Sequence, residues 1–85
     1  MSMVTDLIAA VTNAERQIDE QIMRLKSYQS EIETVSKRAD AAFSGSTVQY
    51  GQKMIEQLSK TSQQINDTIN RLQAAKEKLI QVRMI

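Results

Sequence analysis

Apolar side chains recur every seven positions along the first half of the chain. One series is Val4, Val11, Ile18, Leu25, Ile32 and Ala39; another, three positions further on, is Leu7, Ala14, Gln21, Tyr28, Val35 and Ala42. Alternating steps of three and four residues place both series on one side of an α-helix. The pattern predicts one helix over residues 3–42, about 60 Å long at a rise of about 1.5 Å per residue.

The second half repeats this spacing. Its main series is Leu58, Ile65, Leu72 and Leu79, and the intervening steps carry Val48, Ile55, Ile69, Ala75 and Val82. We therefore predict a second helix over residues 47–83. The layers around Gly51 and Thr61 lack a large apolar side chain, so either another helix approaches closely there or the packing is loose.

A short turn separates the two predicted helices. Gly45 is suited to end the first helix, because glycine adopts the left-handed conformation without strain. Ser46 is a natural N-cap, and Gln49 three positions later completes a capping box. Long helices joined by so short a turn fold back on each other. The predicted fold is all-α, an antiparallel two-helix hairpin forming a single domain over residues 1–85.

The composition agrees with this fold and excludes most chemistry. There is no Pro, and only 2 of the 85 residues are Gly, as expected of long helices. With no His and no Cys, the chain lacks the usual general base, a thiol nucleophile and the ligands of most transition-metal sites. The acidic neighbours Asp19 and Glu20 point in different directions on a helix. We expect no enzyme activity, no metal and no cofactor.

Charge and hydropathy limit the possible partners and locations. The formal net charge is +1 and aromatic residues make up 4%, so we expect no nucleic-acid binding. No segment approaches the roughly 20 apolar residues that span a bilayer. The first residues lack a basic leader. The sequence predicts a protein made in the cytoplasm, whose export, if any, follows a leaderless route.

Each predicted helix carries more apolar residues than one seam between two helices can bury. We expect the surplus to be buried in a dimer that forms a four-helix bundle. Met23 and Met54 are expected to fill gaps at the flanks of the helices. The residues predicted to pack between helices or against a partner are Leu7, Val11, Ile18, Leu25, Ile32, Leu58, Ile65, Leu72 and Leu79. The sequence does not separate those that face a partner from those that face the other arm.

The two arms differ in charge. Residues 1–46 contain five basic and seven acidic side chains, a balance of −2, and residues 47–85 contain six and three, a balance of +3. Opposite balances favour antiparallel pairing of the arms, although exposed ion pairs contribute at most about 1 kcal/mol each.

Phe43 is the only Phe and precedes Ser44 and Gly45 at the predicted bend. Its ring is expected to cover the open end of the hairpin, and the bend is also a candidate recognition feature. An aromatic-x-Gly turn halfway along a small helical hairpin resembles the Trp-x-Gly (WXG100, ESAT-6-like) superfamily. The turn motif would be Phe43-Ser44-Gly45, with Phe in the position of Trp. The resemblance covers the whole chain in architecture and these three residues in motif.

This resemblance implies a function without catalysis. Members of the superfamily dimerise into four-helix bundles and are exported by type VII secretion systems. The C-terminal export signal of the family, Tyr followed four residues later by an acidic residue, is absent from the chain end Lys78–Ile85. The resemblance then implies a homodimer or heterodimer, or a targeting partner that binds the helical N-terminal domain of a larger secreted toxin (the LXG class).

Two other functions fit parts of the sequence. A self-assembling hairpin, such as a secretion-needle subunit, has a similar length and two-helix form, but such proteins usually carry a Pro-containing turn. A small RNA-binding bundle would use exposed basic side chains such as Lys37, Arg38, Lys76 and Lys78. Acidic residues lie among these basic residues, which favours ordinary solvation of the helix surface.

Overall fold

The chain folds into two long antiparallel helices. A computed structural model describes residues 2–43 and 49–84, with α1 over Met3–Phe43 and α2 over Gln49–Arg83. The Cα atoms extend over 67 × 15 × 13 Å, which fits a 41-residue helix with a second helix beside it. The predicted all-α hairpin is confirmed. The predictions for Ser44, Gly45, Ser46 and Thr47 concern residues outside the described ranges.

Ser2 caps the first helix, a role that the sequence pattern did not single out. The Thr5 amide donates to Ser2 Oγ at 3.2 Å, and the Asp6 amide donates to the Ser2 carbonyl, also at 3.2 Å. These bonds satisfy amides that have no partner within the helix. Asp6 also lies in the first turn, where its negative charge is favoured by the helix dipole.

The helices pack along a continuous seam with alternating steps of three and four residues. On α1 the seam consists of Val11, Ile18, Leu25, Ile32 and Ala39 together with Glu15, Ile22, Gln29, Ser36 and Phe43. On α2 it consists of Gly51, Leu58, Ile65, Leu72 and Leu79 together with Ile55, Ser62, Ile69, Lys76 and Arg83. All of these residues except Arg83 are buried or half-buried.

The series beginning at Leu7 does not lie in the seam between the two arms. Of that series only Ala14 is half-buried, and its other members within the described ranges are exposed. The row that packs against α2 instead lies four residues after each main-series position, from Glu15 to Phe43. On α2 the corresponding row supplies Ile55 and Ile69, whereas the competing row supplies Met54 and Thr68 at the equivalent layers. Both rows have helical spacing, so the spacing within one helix does not decide which of them packs.

The hairpin has a thin core. Only Val11, Ile22, Ala39 and Ile69 are buried apolar residues within the described ranges, and none of their side chains is less than 2% exposed. A seam between two helices leaves the outer half of every helix in solvent. The hairpin is therefore expected to be marginally stable alone, as small domains with little buried apolar surface are.

Phe43 packs against a glycine on the opposite arm. A Cβ atom built on Gly51 would lie 2.7 Å from Phe43 Cβ and 2.8 Å from Phe43 Cδ2, closer than carbon atoms can approach. The half-buried ring therefore lies on the bare Cα of Gly51, which is itself buried. Of the two alternatives for the Gly51 layer, close approach is correct, and the approaching group is the ring at the end of α1.

Candidate partner-binding surface

One side of the hairpin carries a row of uncharged residues from each helix, here called the uncharged face. Each residue lies three positions after a seam residue, except Leu7, which lies three positions after the exposed Val4. The α1 row is Leu7, Ala14, Gln21, Tyr28, Val35 and Ala42, and the α2 row is Met54, Thr61, Thr68, Ala75 and Val82. In an antiparallel pair of helices, equivalent rows flank the seam on the same side, so the two rows form one surface.

The arrangement of side chains in space agrees with this assignment. Leu7 and Val82, one from each row, line a common groove at the open end of the hairpin. The grooves on the opposite side include charged and polar residues beside apolar ones, with Asp19 and Gln73 in one and Glu33 in another. We call this second side the polar face. The two sides of the seam thus differ in polarity, since one carries the uncharged face and the other carries the polar face.

The uncharged face is largely apolar and open to solvent. Leu7 and Tyr28 are each 57% exposed, and Val35, Met54 and Val82 are each 48% exposed.

Two threonines of this face are less polar than their hydroxyls imply. The hydroxyls of Thr61 and Thr68 each donate at 2.9 Å to the carbonyl four residues earlier, that of Gln57 and of Gln64. With its hydroxyl bound to its own helix, a threonine offers a methyl group to a partner. The α2 row is therefore more apolar than its sequence suggests.

Two ion pairs join the arms near the open end. Arg83 Nε donates to Glu15 Oε2 at 2.9 Å and its Nη2 donates to Oε1 at 3.3 Å, a two-pronged contact that favours arginine over lysine. Lys76 Nζ lies 2.8 Å from Asp19 Oδ1. Both pairs place the acid on α1 and the base on α2, as the charge division between the arms predicts.

The Glu15 carboxylate makes the first of these pairs asymmetric. The side chain of Glu15 is 10% exposed and that of Arg83 is 39% exposed. We expect Arg83→Met to lower the free energy of unfolding by about 1–2 kcal/mol, because a mostly buried carboxylate loses its partner. Glu15→Met is expected to be neutral or stabilising, since Arg83 can then turn to solvent.

Urea titrations followed by circular dichroism would measure both changes. Lys76→Met is the matched control, since the more exposed pair with Asp19 is worth less than about 1 kcal/mol. Equal losses for Arg83→Met and Glu15→Met would contradict the asymmetry.

The structure separates the residues that the sequence analysis grouped as packing or partner residues. Those that lie in the seam between the arms are Val11, Ile18, Leu25, Ile32, Leu58, Ile65, Leu72 and Leu79. Leu7 lies on the uncharged face. Sequence reasoning missed Tyr28, Val35 and Val82 as a distinct surface, although their three-residue offset from the main series was visible.

The methionines do not fill gaps as expected. Met23 is 71% exposed and Met54 is 48% exposed, so the expectation for both is wrong. Met54 belongs to the uncharged face, whereas Met23 lines a groove on the polar face. Two helices leave too little volume beside the seam to enclose a flexible side chain.

Metal binding, membrane insertion and similarity to known proteins each bear on the function of this surface. Within residues 2–43 and 49–84, no three acidic side chains converge as they would around a metal ion. Neither described helix is long and apolar enough to cross a membrane. No family model, curated protein or solved structure matches the chain. The uncharged face is the candidate functional site.

Proposed function

We propose that this chain is a WXG100-like protein of a type VII secretion system that acts by forming a helical bundle. It would serve as a secreted co-substrate or as the targeting partner of a larger effector. The observation that carries the proposal is the uncharged face, an open and mainly apolar surface along a hairpin 67 Å in length. Contiguous exposed apolar surface of this kind marks interaction sites in soluble proteins.

The shape of the face favours a helical occupant. Two parallel rows on rigid helices form a shallow groove between ridges, and a helix buries its own apolar stripe in such a groove. One additional helix, or a second hairpin, would cover residues such as Leu7, Val35 and Val82. Completing the bundle also supplies the buried surface that the thin core lacks, so binding and stability are coupled.

Phe43 supports the same proposal. Phe43 is an aromatic residue at the end of α1, and its ring lies on Gly51 of the opposite arm. In the resemblance to proteins with an aromatic-x-Gly turn, Phe43 takes the aromatic position of the sequence motif Phe43-Ser44-Gly45.

The test is a comparison of secreted proteins in the source cell. Deleting the gene is expected to remove a larger protein from the culture medium, and disabling the secretion ATPase should remove the same protein. Restoring the wild-type chain should restore its export. The variant Leu7→Glu with Val82→Glu should fail to restore it, because two carboxylates would be buried at the interface.

A matched variant, Thr12→Glu with Gln73→Glu, adds two carboxylates at exposed positions away from the uncharged face and is expected to restore export fully. An unchanged set of secreted proteins after deletion would refute the proposal. Open-ended filaments formed by the purified chain would favour the needle-like subunit instead.

A further inference from the structure

The uncharged face is bordered by basic side chains. Moving one row outward from it on each helix gives Arg24 and Arg38 on α1 and Arg71 and Lys78 on α2, here called the basic rim. All four are exposed, and none forms an ion pair within residues 2–43 and 49–84. The single acidic residue in these border rows is Glu31. This side of the hairpin therefore carries a formal charge of +3.

The polar face has the opposite balance. Its exposed acidic residues are Asp19, Glu33, Asp40, Glu56 and Glu77, and its exposed basic residues are Arg16, Lys26 and Lys37. Lys76 of the seam is paired with Asp19 on this side, and with it the formal charge of the polar face is −1. A net charge of +1 for the whole chain thus conceals two faces of opposite sign.

From this division of charge, we infer that the uncharged face binds a helical protein whose own apolar stripe is bordered by Asp and Glu, in preference to a second copy of this chain. The inference rests on the proposed bundle-forming function and adds the charge of the partner. An acidic border would lie against the four basic rim residues, and electrostatic complementarity of this kind selects between partners.

A second copy fits the face poorly. Two copies related by a two-fold axis would bring one basic rim against the other, and like charges at an interface are costly. In a stack of copies, the uncharged face of one chain would lie on the polar face of the next. Leu7, Val35 and Val82 would then contact carboxylates such as that of Glu33. That arrangement removes charged groups from water without pairing them.

The chain itself provides a probe with an acidic border. The rim-reversed variant carries Arg24→Glu, Arg38→Glu, Arg71→Glu and Lys78→Glu and keeps every residue of the uncharged face. The control variant carries Arg16→Glu, Lys37→Glu, Lys53→Glu and Lys60→Glu, which are exposed positions elsewhere on the hairpin. In both, four reversals change the formal charge by −8, from +1 to −7, so overall charge is matched.

Sedimentation equilibrium of labelled chains measures each pairing. We expect wild type to bind the rim-reversed variant at least about tenfold more tightly than it binds itself or the control variant. This preference should decrease as NaCl is raised from about 0.05 to about 0.5 M, because the screening length falls from roughly 14 to roughly 4 Å. If the fourfold variants lose helicity, double variants give the same comparison with smaller effects. The rim-reversed double variant is Arg38→Glu with Arg71→Glu, and its control is Lys37→Glu with Lys60→Glu.

Several results would overturn the inference. Wild-type self-association as tight as the mixed pair would make a second copy the occupant and leave the bundle-forming function standing. Equal binding of the control and rim-reversed variants would show that overall charge decides. Helical chains that do not associate in any pairing would refute bundle formation itself. Binding to vesicles containing phosphatidylserine, lost on rim reversal, would identify a membrane surface as the partner.

Discussion

Ile69→Asp is expected to unfold the hairpin. Ile69 is 4% exposed, the lowest value among the buried apolar residues of the described ranges. Truncating a buried isoleucine to alanine costs about 2–5 kcal/mol, and an unpaired carboxylate in the seam adds the cost of its lost hydration. A small two-helix core supplies only about 3–5 kcal/mol of stability in total. The cost of the substitution therefore exceeds the free energy of unfolding of the hairpin.

Circular dichroism at 222 nm would show the result as a loss of most helical signal at room temperature. Gln63→Asp is the control, because it introduces the same side chain at an exposed position of the same helix. This control should change the free energy of unfolding by less than about 0.5 kcal/mol. If Ile69→Asp melts like the wild type, the seam described for α2 is wrong.

Gly51→Leu is expected to destabilise the hairpin by about 1–3 kcal/mol, although leucine favours helices more than glycine does. Replacing glycine within a helix normally gains up to about 1 kcal/mol. Here any Cβ atom would collide with Phe43 at its Cβ and ring atoms, which lie close to the backbone and cannot move far. Overpacking of this kind outweighs the gain in helix propensity.

The same contact predicts that substitutions at Gly51 and Phe43 are not additive. Phe43→Ala alone should cost about 1–2 kcal/mol, less than for a fully buried ring, because Phe43 is half-buried. In Phe43→Ala with Gly51→Leu, the new side chain occupies the space that the ring leaves. We expect the double variant to be more stable than the sum of the single changes indicates, by at least about 1 kcal/mol.

A double-mutant cycle measured by urea unfolding tests this coupling. Ala75→Leu serves as the reference, since Ala75 is exposed on the same helix and the substitution should cost nothing measurable in the hairpin alone. Additivity of the two single changes within about 0.5 kcal/mol would show that Phe43 and Gly51 do not touch.

The helices themselves were predictable, because heptad spacing and the absence of proline act locally. Predicted bounds of 3–42 and 47–83 compare with Met3–Phe43 and Gln49–Arg83. Main seam residues such as Ile18 and Ile65 were also identifiable, since apolar residues at every seventh position of a helix lie on one face.

The second row of the seam was not predictable from either helix alone. Rows three and four residues after Val11 are both adjacent to the main series, and on α1 the apolar content favours the row that the structure leaves exposed. Which row packs is decided by the other arm, through contacts such as Phe43 with Gly51 and Glu15 with Arg83. Such pairings join residues far apart in sequence, and they are set by the register of the two helices.

The most direct test of the uncharged face as a binding surface is thiol labelling in the source cell, where the native partner is present. The chain has no Cys, so Val35→Cys and Ser30→Cys each introduce a unique thiol, the first on the uncharged face and the second at an exposed position away from it. A membrane-permeable maleimide should label the thiol of Val35→Cys at least about tenfold more slowly than that of Ser30→Cys in cells, whereas both thiols should react alike in the purified chain. Equal labelling rates in cells would contradict the account, because they would show that nothing covers this face where the protein works.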